Sequence, residues 1–356
     1  MIEFNGFGFK FNGVPLFTTV NVSRVLSLVM NVRAVPETSF LDPLLVGIDL
    51  SLSQTYYPAG FPVSVTTNSQ DVLEAASESW GHAKPKFGGE PIKIRAVVQP
   101  EGELSQQPTY RCQRHLLALI AGPDNFAVAD LNRLFGFLLV SARTAADHLW
   151  LRWFFLESIV YTLLEQRHVV AVHAACIARH GKGILLCGAA GAGKSTLCWA
   201  CARSGWTLIG DDCAWLLQDS RYCEVAASSG EVRFRQDAVT FFPELKGFIE
   251  RARPNGKLSL QVPLRAFPEI KTTPRCMLDY LVFLNRGEGR PGIRKLSADY
   301  SLHLLVRDHP TFGPETEERH ERAFRNLASL PAYQLCYQTL EDGQKLLESL
   351  TDGTTA

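Results

Sequence analysis

The chain has 356 residues, of which 46% are hydrophobic and 20% charged, and 36 basic residues balance 36 acidic ones. The length favours two domains, because a single hydrophobic core seldom organises so many residues. The even charge balance argues against a nucleic-acid partner, since proteins of that class normally carry a basic surplus. No apolar stretch predicts a membrane span, and the N-terminus lacks the features of a secretory signal, so we expect a cytoplasmic protein.

Residues 1–145 predict an α+β N-terminal domain, to which the sequence assigns no role. Residues 1 to about 65 alternate short apolar runs with Gly, Pro and Asn, which is typical of strands and turns. Asn68–Asp71 supplies capping residues for a helix that ends near Trp80, and Ile92–Val98 predicts a strand. Further strand or mixed segments are predicted over 111–121 and 125–139.

A long apolar helix is predicted from Asp147 to about Gln166. Charged residues interrupt it, which excludes a membrane-spanning segment. We therefore expect residues 146–168 to form a buried helix at the seam between the domain 1–145 and a second domain, 146–356.

After this helix the pattern changes to that of an α/β core. Strands are predicted over Val169–Ile177, Gly183–Cys187 and Thr207–Gly210, with a helix over Ser195–Ser204. Gly205 should stop that helix, because glycine adopts the left-handed conformation beyond a helix end without steric cost. The C-terminal part predicts strands over 280–284 and 333–337, and helices over 316–330 and 340–350.

The segment Gly188–Ser195 satisfies the P-loop pattern G-x-x-x-x-G-K-[ST] and lies between a predicted strand and a predicted helix. Its glycines allow successive N–H groups to face one concavity, and the helix N-terminus adds partial positive charge. The expected ligand is ATP with Mg²⁺: Lys194 would bridge the β- and γ-phosphates, and the Ser195 hydroxyl would ligate the ion. The expected nucleotide contacts are Gly188, Ala189, Ala190, Gly191, Ala192, Gly193, Lys194, Ser195 and Thr196.

Two adjacent carboxylates, Asp211 and Asp212, follow the strand Thr207–Gly210. One helix and one strand separate them from the P-loop, so they should lie beside it at the edge where open α/β sheets bind ligands. Adjacent residues of a strand point to opposite faces. One carboxylate could therefore face Mg²⁺ while the other faces an acceptor hydroxyl.

His173, the P-loop Gly188–Ser195 and the pair Asp211-Asp212 follow one another as in HPr kinase/phosphorylase, the bacterial family that phosphorylates a serine of the carrier protein HPr. The chain resembles this family over about residues 170–260. The resemblance implies an α/β P-loop core of the HPr-kinase/PEP-carboxykinase type. It also implies that Asp211 is the base, that Asp212 supports Mg²⁺ and that His173 lies near the transferred phosphoryl group.

The family's Glu-x-Arg-Gly segment is matched in part by Glu231-Val232-Arg233, with Phe234 in place of the glycine. By this resemblance Glu231 would be a metal ligand and Arg233 a phosphate contact. The stretch Arg251–Lys257 could replace the family's mobile basic loop, with Lys257 or Arg253 reaching the transferred phosphoryl group.

Because the segments 231–234 and 251–257 depart from the pattern of HPr kinase/phosphorylase, the chain is more similar to divergent HPr-kinase-like proteins. Some of these proteins phosphorylate serine in lasso-peptide precursors. We therefore expect an ATP-dependent kinase acting on a serine of a peptide or protein. The oligomeric state stays open, with a homo-oligomer as one alternative. Two alternatives stay open: a small-molecule hydroxyl kinase of the shikimate-kinase type, and a non-catalytic binding protein gated by ATP. PEP carboxykinase activity ranks last, because the additional metal-binding histidine and lysine sites are not found.

Overall fold

The structure is a computed structural model, and it describes residues 2–4, 9–11, 48–218, 223–226, 230–252, 256–287, 290–306 and 314–354. The chain is a mixed α/β protein with several sheets, in agreement with the sequence analysis. Strands β1 (Ile2–Phe4) and β2 (Phe9–Phe11) form an antiparallel pair. Most of the region 1–65, for which strands and turns are predicted, lies outside the described residues.

A seven-stranded sheet occupies residues 52–141. Its strands are β3 (Leu52–Tyr56), β4 (Val63–Thr67), β5 (Ile92–Gln99), β6 (Thr109–Gln113), β7 (Leu116–Ile120), β8 (Phe126–Asp130) and β9 (Phe135–Ser141). Their order is β3-β4-β5-β9-β8-β7-β6, in which only β4–β5 and β5–β9 are parallel. The predicted strand near 92–98 is confirmed, and the mixed segments 111–121 and 125–139 fall on β6 to β9.

Helix α1 (Gln70–Trp80) lies where the sequence predicts a helix and packs against β3 and β4. Its buried side chains Val72, Leu73, Ala76 and Trp80 recur at helical spacing and form one apolar face. The remaining face is polar and carries Glu78 and Ser79, which point away from the sheet's core toward the helices that follow.

The predicted long helix around 147–166 is present, but it is not one regular α-helix. It comprises α2 (Ala142–Ala146), α3 (His148–Trp150), a π-helical segment (Leu151–Glu157) and α4 (Ser158–Arg167). Helix α4 packs against β5, β8 and β9 of the first sheet and leads directly into the second.

The rest of the described chain contains thirteen strands and four α-helices. The strands are β10 (Val169–Val172), β11 (Ala174–Arg179), β12 (Lys182–Cys187), β13 (Thr207–Gly210), β14 (Ala214–Leu217), β15 (Glu224–Ala226), β16 (Glu231–Phe234), β17 (Glu250–Ala252), β18 (Leu258–Pro263), β19 (Lys271–Thr272), β20 (Arg275–Arg286), β21 (Gly292–Leu296) and β22 (Ala332–Tyr337). The helices are α5 (Lys194–Arg203), α6 (Ala298–Val306), α7 (Pro314–Ala328) and α8 (Leu340–Asp352).

Ten of these strands form the second sheet, in the order β10-β14-β15-β20-β12-β11-β13-β19, with β22 and β21 continuing beside β20. Strands β16, β18 and β17 form a separate antiparallel sheet. None of the helices in the described ranges is both long and apolar enough to cross a membrane.

The strand directions bring the predicted site residues to one edge. Strands β12 and β13 both pair antiparallel with β11, so they run in the same direction. The carboxyl ends of β12 and β13 therefore meet the beginning of β11 at a single edge of the sheet. The predicted strand Val169–Ile177 is in fact two strands, and His173 is the residue between them.

Candidate functional site

The glycine-rich loop Gly188–Gly193 connects β12 to α5, as the motif predicts. Gly191 and Gly193 have φ values of 89° and 91°, in the left-handed region that side chains disfavour. These two residues turn the chain sharply into the first turn of α5, where Lys194, Ser195 and Thr196 follow. Tyr337 of β22 packs against the loop, and its hydroxyl donates a hydrogen bond to the carbonyl oxygen of Ala192 at 3.3 Å.

Lys194 lies folded back over this loop. Its side chain is buried, and Nζ donates hydrogen bonds to the carbonyl oxygens of Gly188 at 2.7 Å and Ala189 at 3.3 Å. Burial lowers the pKa of Lys194, while the nearby carboxylates Asp212 and Asp211 oppose the shift. The ammonium group is thus held between the loop and the two aspartates.

Asp211 is the most deeply buried carboxylate of the site, with 2% of its surface exposed. Its Oδ2 accepts a hydrogen bond from the backbone N–H of Arg233 at 2.8 Å. Its Oδ1 is also buried, and no described residue donates a hydrogen bond to it. Burial, followed by the charge of Asp212, raises the pKa of Asp211 to about 6, although the Ser195 hydroxyl and Arg233 act in the opposite direction.

His173 contacts the second aspartate. Its Nδ1 lies 2.9 Å from the carbonyl oxygen of Asp212 and 3.4 Å from the carboxylate Oδ1 of the same residue. Half of the imidazole is exposed, and its inner part lies close to Lys194. Burial of that part and then the charge of Lys194 lower the pKa of His173, with a smaller contribution in the same direction from Lys257. The neutral ring therefore donates from Nδ1 to Asp212.

Glu231 and Arg233 lie on β16, which the backbone hydrogen bond from Arg233 joins to Asp211. Arg233 donates from both Nε and Nη2 to Glu231 Oε1 at 2.8 Å. Its guanidinium is also close to the charges of Asp212 and Glu157, and these carboxylates help to raise the pKa of Arg233 against the effect of burial. Glu231 and Arg233 are thus beside the aspartates, and their roles toward metal and phosphate stay predictions.

Of the remaining predicted basic contacts, Lys257 is described by the structure. Lys257 immediately precedes β18, and its charge acts on His173, so this lysine belongs to the same neighbourhood. Arg253 lies outside the described residues, and its predicted role stays a prediction.

Two arginines beside the loop were not predicted from the sequence. A Cβ atom on Gly191 would lie 3.2 Å from Nη2 and 3.4 Å from Nη1 of Arg235, so this guanidinium covers the loop. The aliphatic part of Arg286 lies near Gly193, and its guanidinium stands 5.4 Å from the ring centre of Phe241. Arg286 ends β20, which is parallel to β12, so its position at the carboxyl end of a strand was the signal that could have identified it.

A cavity of about 430 Å³ adjoins the two aspartates. One wall is formed by residues between 78 and 161, which lie in or next to α1 and the helical segments before β10. The other wall is formed by residues between 211 and 272, which lie in or next to β13, β16, β18 and β19. The lining residues are Glu78, Ser79, His82, Arg152, Glu157, Tyr161, Asp211, Asp212, Cys213, Gly230, Glu231, Arg233, Pro263, Leu264, Arg265 and Thr272. The residues of the glycine loop are not among them, so Asp211 lies between the loop and the cavity.

The predicted Mg²⁺ ligands Ser195 and Asp212 both lie at this edge, with Glu231 on the adjoining strand. Magnesium usually keeps several waters and takes only one or two protein carboxylates, so a hydroxyl and a carboxylate are sufficient beside a triphosphate. A separate group lies elsewhere: possible ligand atoms of Asp71, Glu74 and His148 lie within 4.8 Å of one another. Among the described residues it is the one group of at least three acidic, histidine or cysteine side chains so close together.

Comparison with known proteins gives two similarities. Residues 139–227 match the family described as the SynChlorMet cassette protein ScmC, which is less than half of the chain. No curated protein matches the sequence. Among solved structures, the Hpr(Ser) kinase/phosphatase from Coxiella burnetii is similar at 15% sequence identity, over 52% of this chain and 95% of that chain, with a TM-score of 0.30. A TM-score this low does not by itself show a shared fold.

Proposed function

We propose that this chain is a kinase that transfers the γ-phosphoryl group of ATP to a hydroxyl group, with a serine of a peptide or protein as the first candidate acceptor. The observation that carries the proposal is the meeting of three features at one sheet edge. These are the glycine loop with Lys194, the Ser195 hydroxyl at the start of α5, and the buried carboxylate of Asp211.

The loop has the chemistry to hold a triphosphate. Its backbone turns at Gly191 and Gly193 before the N-terminus of α5, which favours an anion because unpaired N–H groups of a helix point that way. Lys194 Nζ is hydrogen-bonded to two loop carbonyls, from which it can turn to phosphate oxygens. Arg235 lies over Gly191 and would add a second positive charge on the outer side.

The metal is expected at Ser195 and Asp212, where it would neutralise charge on the phosphates. His173 orients Asp212 through the contact from its Nδ1. The negative charge of Asp212 also raises the pKa of Lys194 against the effect of burial, so the carboxylate stabilises the charged ammonium group. The chain thus supplies positioning and charge, which are the main requirements of phosphoryl transfer.

Asp211 is placed to accept the proton of the acceptor. Its Oδ2 accepts a hydrogen bond from the Arg233 N–H, whereas Oδ1 receives none from the described residues, although the Ser195 hydroxyl lies close to the carboxylate. In the transfer, the bond between the γ-phosphorus and the β–γ bridging oxygen breaks and a bond from the acceptor oxygen to phosphorus forms. The hydroxyl proton passes to Asp211, and ADP leaves.

A small-molecule hydroxyl kinase is the second candidate, and the size of the cavity favours it. A volume of about 430 Å³ falls within the range of pockets that hold metabolites. The same cavity can take a side chain and its neighbours from a peptide. An ATP-gated binding protein would show nucleotide binding without transfer to either class of acceptor.

The test uses the full chain with Mg²⁺, γ-labelled ATP, serine peptides and small alcohols. We expect Lys194→Ala to lose nucleotide binding, and Asp211→Asn to bind ATP normally while its transfer rate falls by roughly 10²–10⁴-fold, the usual scale for a general base. Lys93→Ala and Asp49→Asn, at exposed positions away from the site, are matched controls. ATP binding without labelling of any acceptor would favour the binding protein, and unimpaired transfer by Asp211→Asn would remove this residue from the mechanism.

A further inference from the structure

The cavity beside Asp211 has two walls of different origin, and we propose that it is the acceptor site of the kinase. The ligand that it would take is a hydroxyl compound with an anionic group on the same molecule, such as an acidic serine peptide or a free hydroxylated amino acid. Arg265, in the short helix after β18, would then select the acceptor through its anionic group. This inference rests on the proposed kinase function.

Asp211 Oδ1 is the first observation that points to a ligand. Asp211 has 2% of its surface exposed and lines the cavity. Its Oδ1 receives no hydrogen bond from the described residues. A buried carboxylate oxygen without a donor costs free energy, and a bound hydroxyl would relieve that cost. Because Asp211 also lies beside Ser195, a hydroxyl bound here would face the phosphate loop.

Most charged groups of the walls already have partners. On the wall formed by residues 78–157, Arg152 donates from Nη1 to Glu78 and from Nε to Ser79, each at 2.9 Å. The Ser79 hydroxyl in turn donates to Glu157 at 2.7 Å. On the opposite wall, Glu231 is the partner of Arg233, as described above. Together these groups are three carboxylates and two guanidinium groups, so they leave one net negative charge and supply no further cation for an anionic ligand.

His82 brings the two walls together. A Cβ on Gly230 would lie 2.9 Å from Cδ2 and 3.1 Å from Nε2 of His82, so the imidazole packs directly on this glycine. Burial, and after it the charges of Arg152 and Arg265, lower the pKa of His82, whereas Glu231 opposes them. The imidazole therefore gives the cavity a neutral polar surface. Because the charge of Arg265 acts on His82, this arginine lies near the ring.

Arg265 is the cation that remains for a ligand. It lies in the short 3-10 helix Leu264–Ala266 after β18, is exposed, and lines the cavity. It forms no ion pair with any carboxylate in the described ranges, unlike Arg152 and Arg233. A guanidinium in this position suits a carboxylate or phosphate, with which it can form two parallel hydrogen bonds. The anionic group of the acceptor would bind here while its hydroxyl reaches Asp211.

The test measures transfer and binding with four probes. They are a short peptide with a central serine and a nearby aspartate, its analogues with asparagine or lysine in place of the aspartate, and L-serine. We expect the wild type to use the aspartate peptide about 10-fold more efficiently than the asparagine analogue, the scale of one charged hydrogen bond. Arg265→Ala should remove this preference, and Arg265→Glu should reverse it toward the lysine peptide, while ATP affinity stays unchanged.

A second variant tests the cavity itself. Thr272→Trp places a large ring at an exposed lining position and should abolish acceptor binding and transfer without loss of ATP binding. Thr109→Trp and Arg111→Ala, at exposed positions of β6 outside the cavity, are the matched controls. Calorimetric titration of the probes into the full chain measures binding independently of transfer.

The outcomes separate the two proposals. Preference for the aspartate peptide identifies a peptide acceptor, and preference for L-serine identifies a free amino acid; both support the acceptor site if Arg265→Ala weakens them. Transfer that is unaffected by Thr272→Trp and Arg265→Glu would keep the kinase and overturn the cavity as acceptor site. Binding of an acidic probe without any transfer would keep the cavity as a binding site and overturn the kinase. Absence of binding by all four probes would overturn this inference.

Discussion

Positive charge around the glycine loop comes from residues that are far apart in the chain. Lys194 belongs to the motif itself and donates hydrogen bonds to two loop carbonyls. Arg235 directly follows β16, and Arg286 is the last residue of β20. Neither arginine forms an ion pair with a carboxylate among the described residues. Their guanidinium groups are therefore available to an anion in the loop, as expected where phosphates bind.

The position of Arg235 leads to a prediction about triphosphate binding. We expect Arg235→Ala to weaken ATP affinity by roughly 10-fold, the scale of one hydrogen bond to a charged group. ADP should be affected less, because we expect this guanidinium, which lies against Gly191, to contact the γ-phosphate that ADP lacks. Titration with fluorescent ATP and ADP analogues measures both affinities. Arg111→Ala serves as the control, and equal affinity of Arg235→Ala and wild type for ATP would contradict the proposed contact.

At the scale of the elements, one glycine determines how closely two central strands can pack. Gly183 on β12 faces Cys276 and Met277 of β20, and a Cβ on this glycine would lie 2.7 Å from the Cys276 sulfur and overlap the Met277 carbonyl oxygen. The register of the β12–β20 pair shifts at the same place, between Gly183 and Ile184. The strand that carries the glycine loop thus lies against β20 through a contact that only glycine allows.

We expect Gly183→Ala to destabilise the protein by about 1–3 kcal/mol, the usual cost of overpacking, because the backbone of β20 at the Met277 carbonyl must move. Urea unfolding followed by circular dichroism measures the change. Gly292→Ala on β21 is the matched control, since nothing lies within 4 Å of its Cβ position. A loss of stability no larger than that of the control would show that the two strands adjust without strain.

At the scale of the whole molecule, the two large sheets share one hydrophobic core. A single buried cluster contains Ile94 and Leu163 on the side of the first sheet and Val169 and Trp215 on the side of the second. Tyr161 of α4 stacks on Trp215 of β14 with ring centres 4.8 Å apart. The predicted seam position of the 146–168 helix and the domain boundaries stay predictions.

Helix α7 also joins this region through a buried histidine. His320 is 1% exposed, and its Nε2 lies 3.4 Å from the carbonyl oxygen of Glu165. Burial lowers the pKa of His320 to about 4 from an ordinary value of 6.5. Since the unfolded chain takes up this proton first as the pH falls, the contribution of neutral His320 to stability is complete above pH 6.5 and is lost progressively toward pH 4.

We therefore expect the melting temperature of the wild type to fall more steeply between pH 7 and pH 4 than that of His320→Phe, whose ring cannot take up a proton. Thermal unfolding at several pH values measures the two slopes. His303→Gln, at an exposed histidine of α6, should keep the wild-type slope. Parallel slopes for the wild type and His320→Phe would show that the pKa of His320 is the same in the folded and the unfolded chain.

Features with short-range causes were predicted well from the sequence. The strand, glycine loop and helix around Gly188–Ser195 are all present, and the helix ends before Gly205 as predicted. Strand β13 then brings Asp211 and Asp212 to the same edge. Each of these features depends on the conformational preferences of neighbouring residues and on the lengths of the connecting segments, which are properties of the sequence itself.

What only the tertiary structure decided is which distant side chains meet at this edge. The sequence did not place Arg235 over Gly191, leave Oδ1 of Asp211 without a described donor, or join α1 to β16 around a cavity. These contacts depend on the order of strands and the packing of helices, which are set by the burial of the whole core rather than by local preference. The sequence alone thus determined a glycine loop between a strand and a helix, with two aspartates after the next strand. The fold decided their surroundings, because side chains far apart along the chain meet only when the sheets close around a common core.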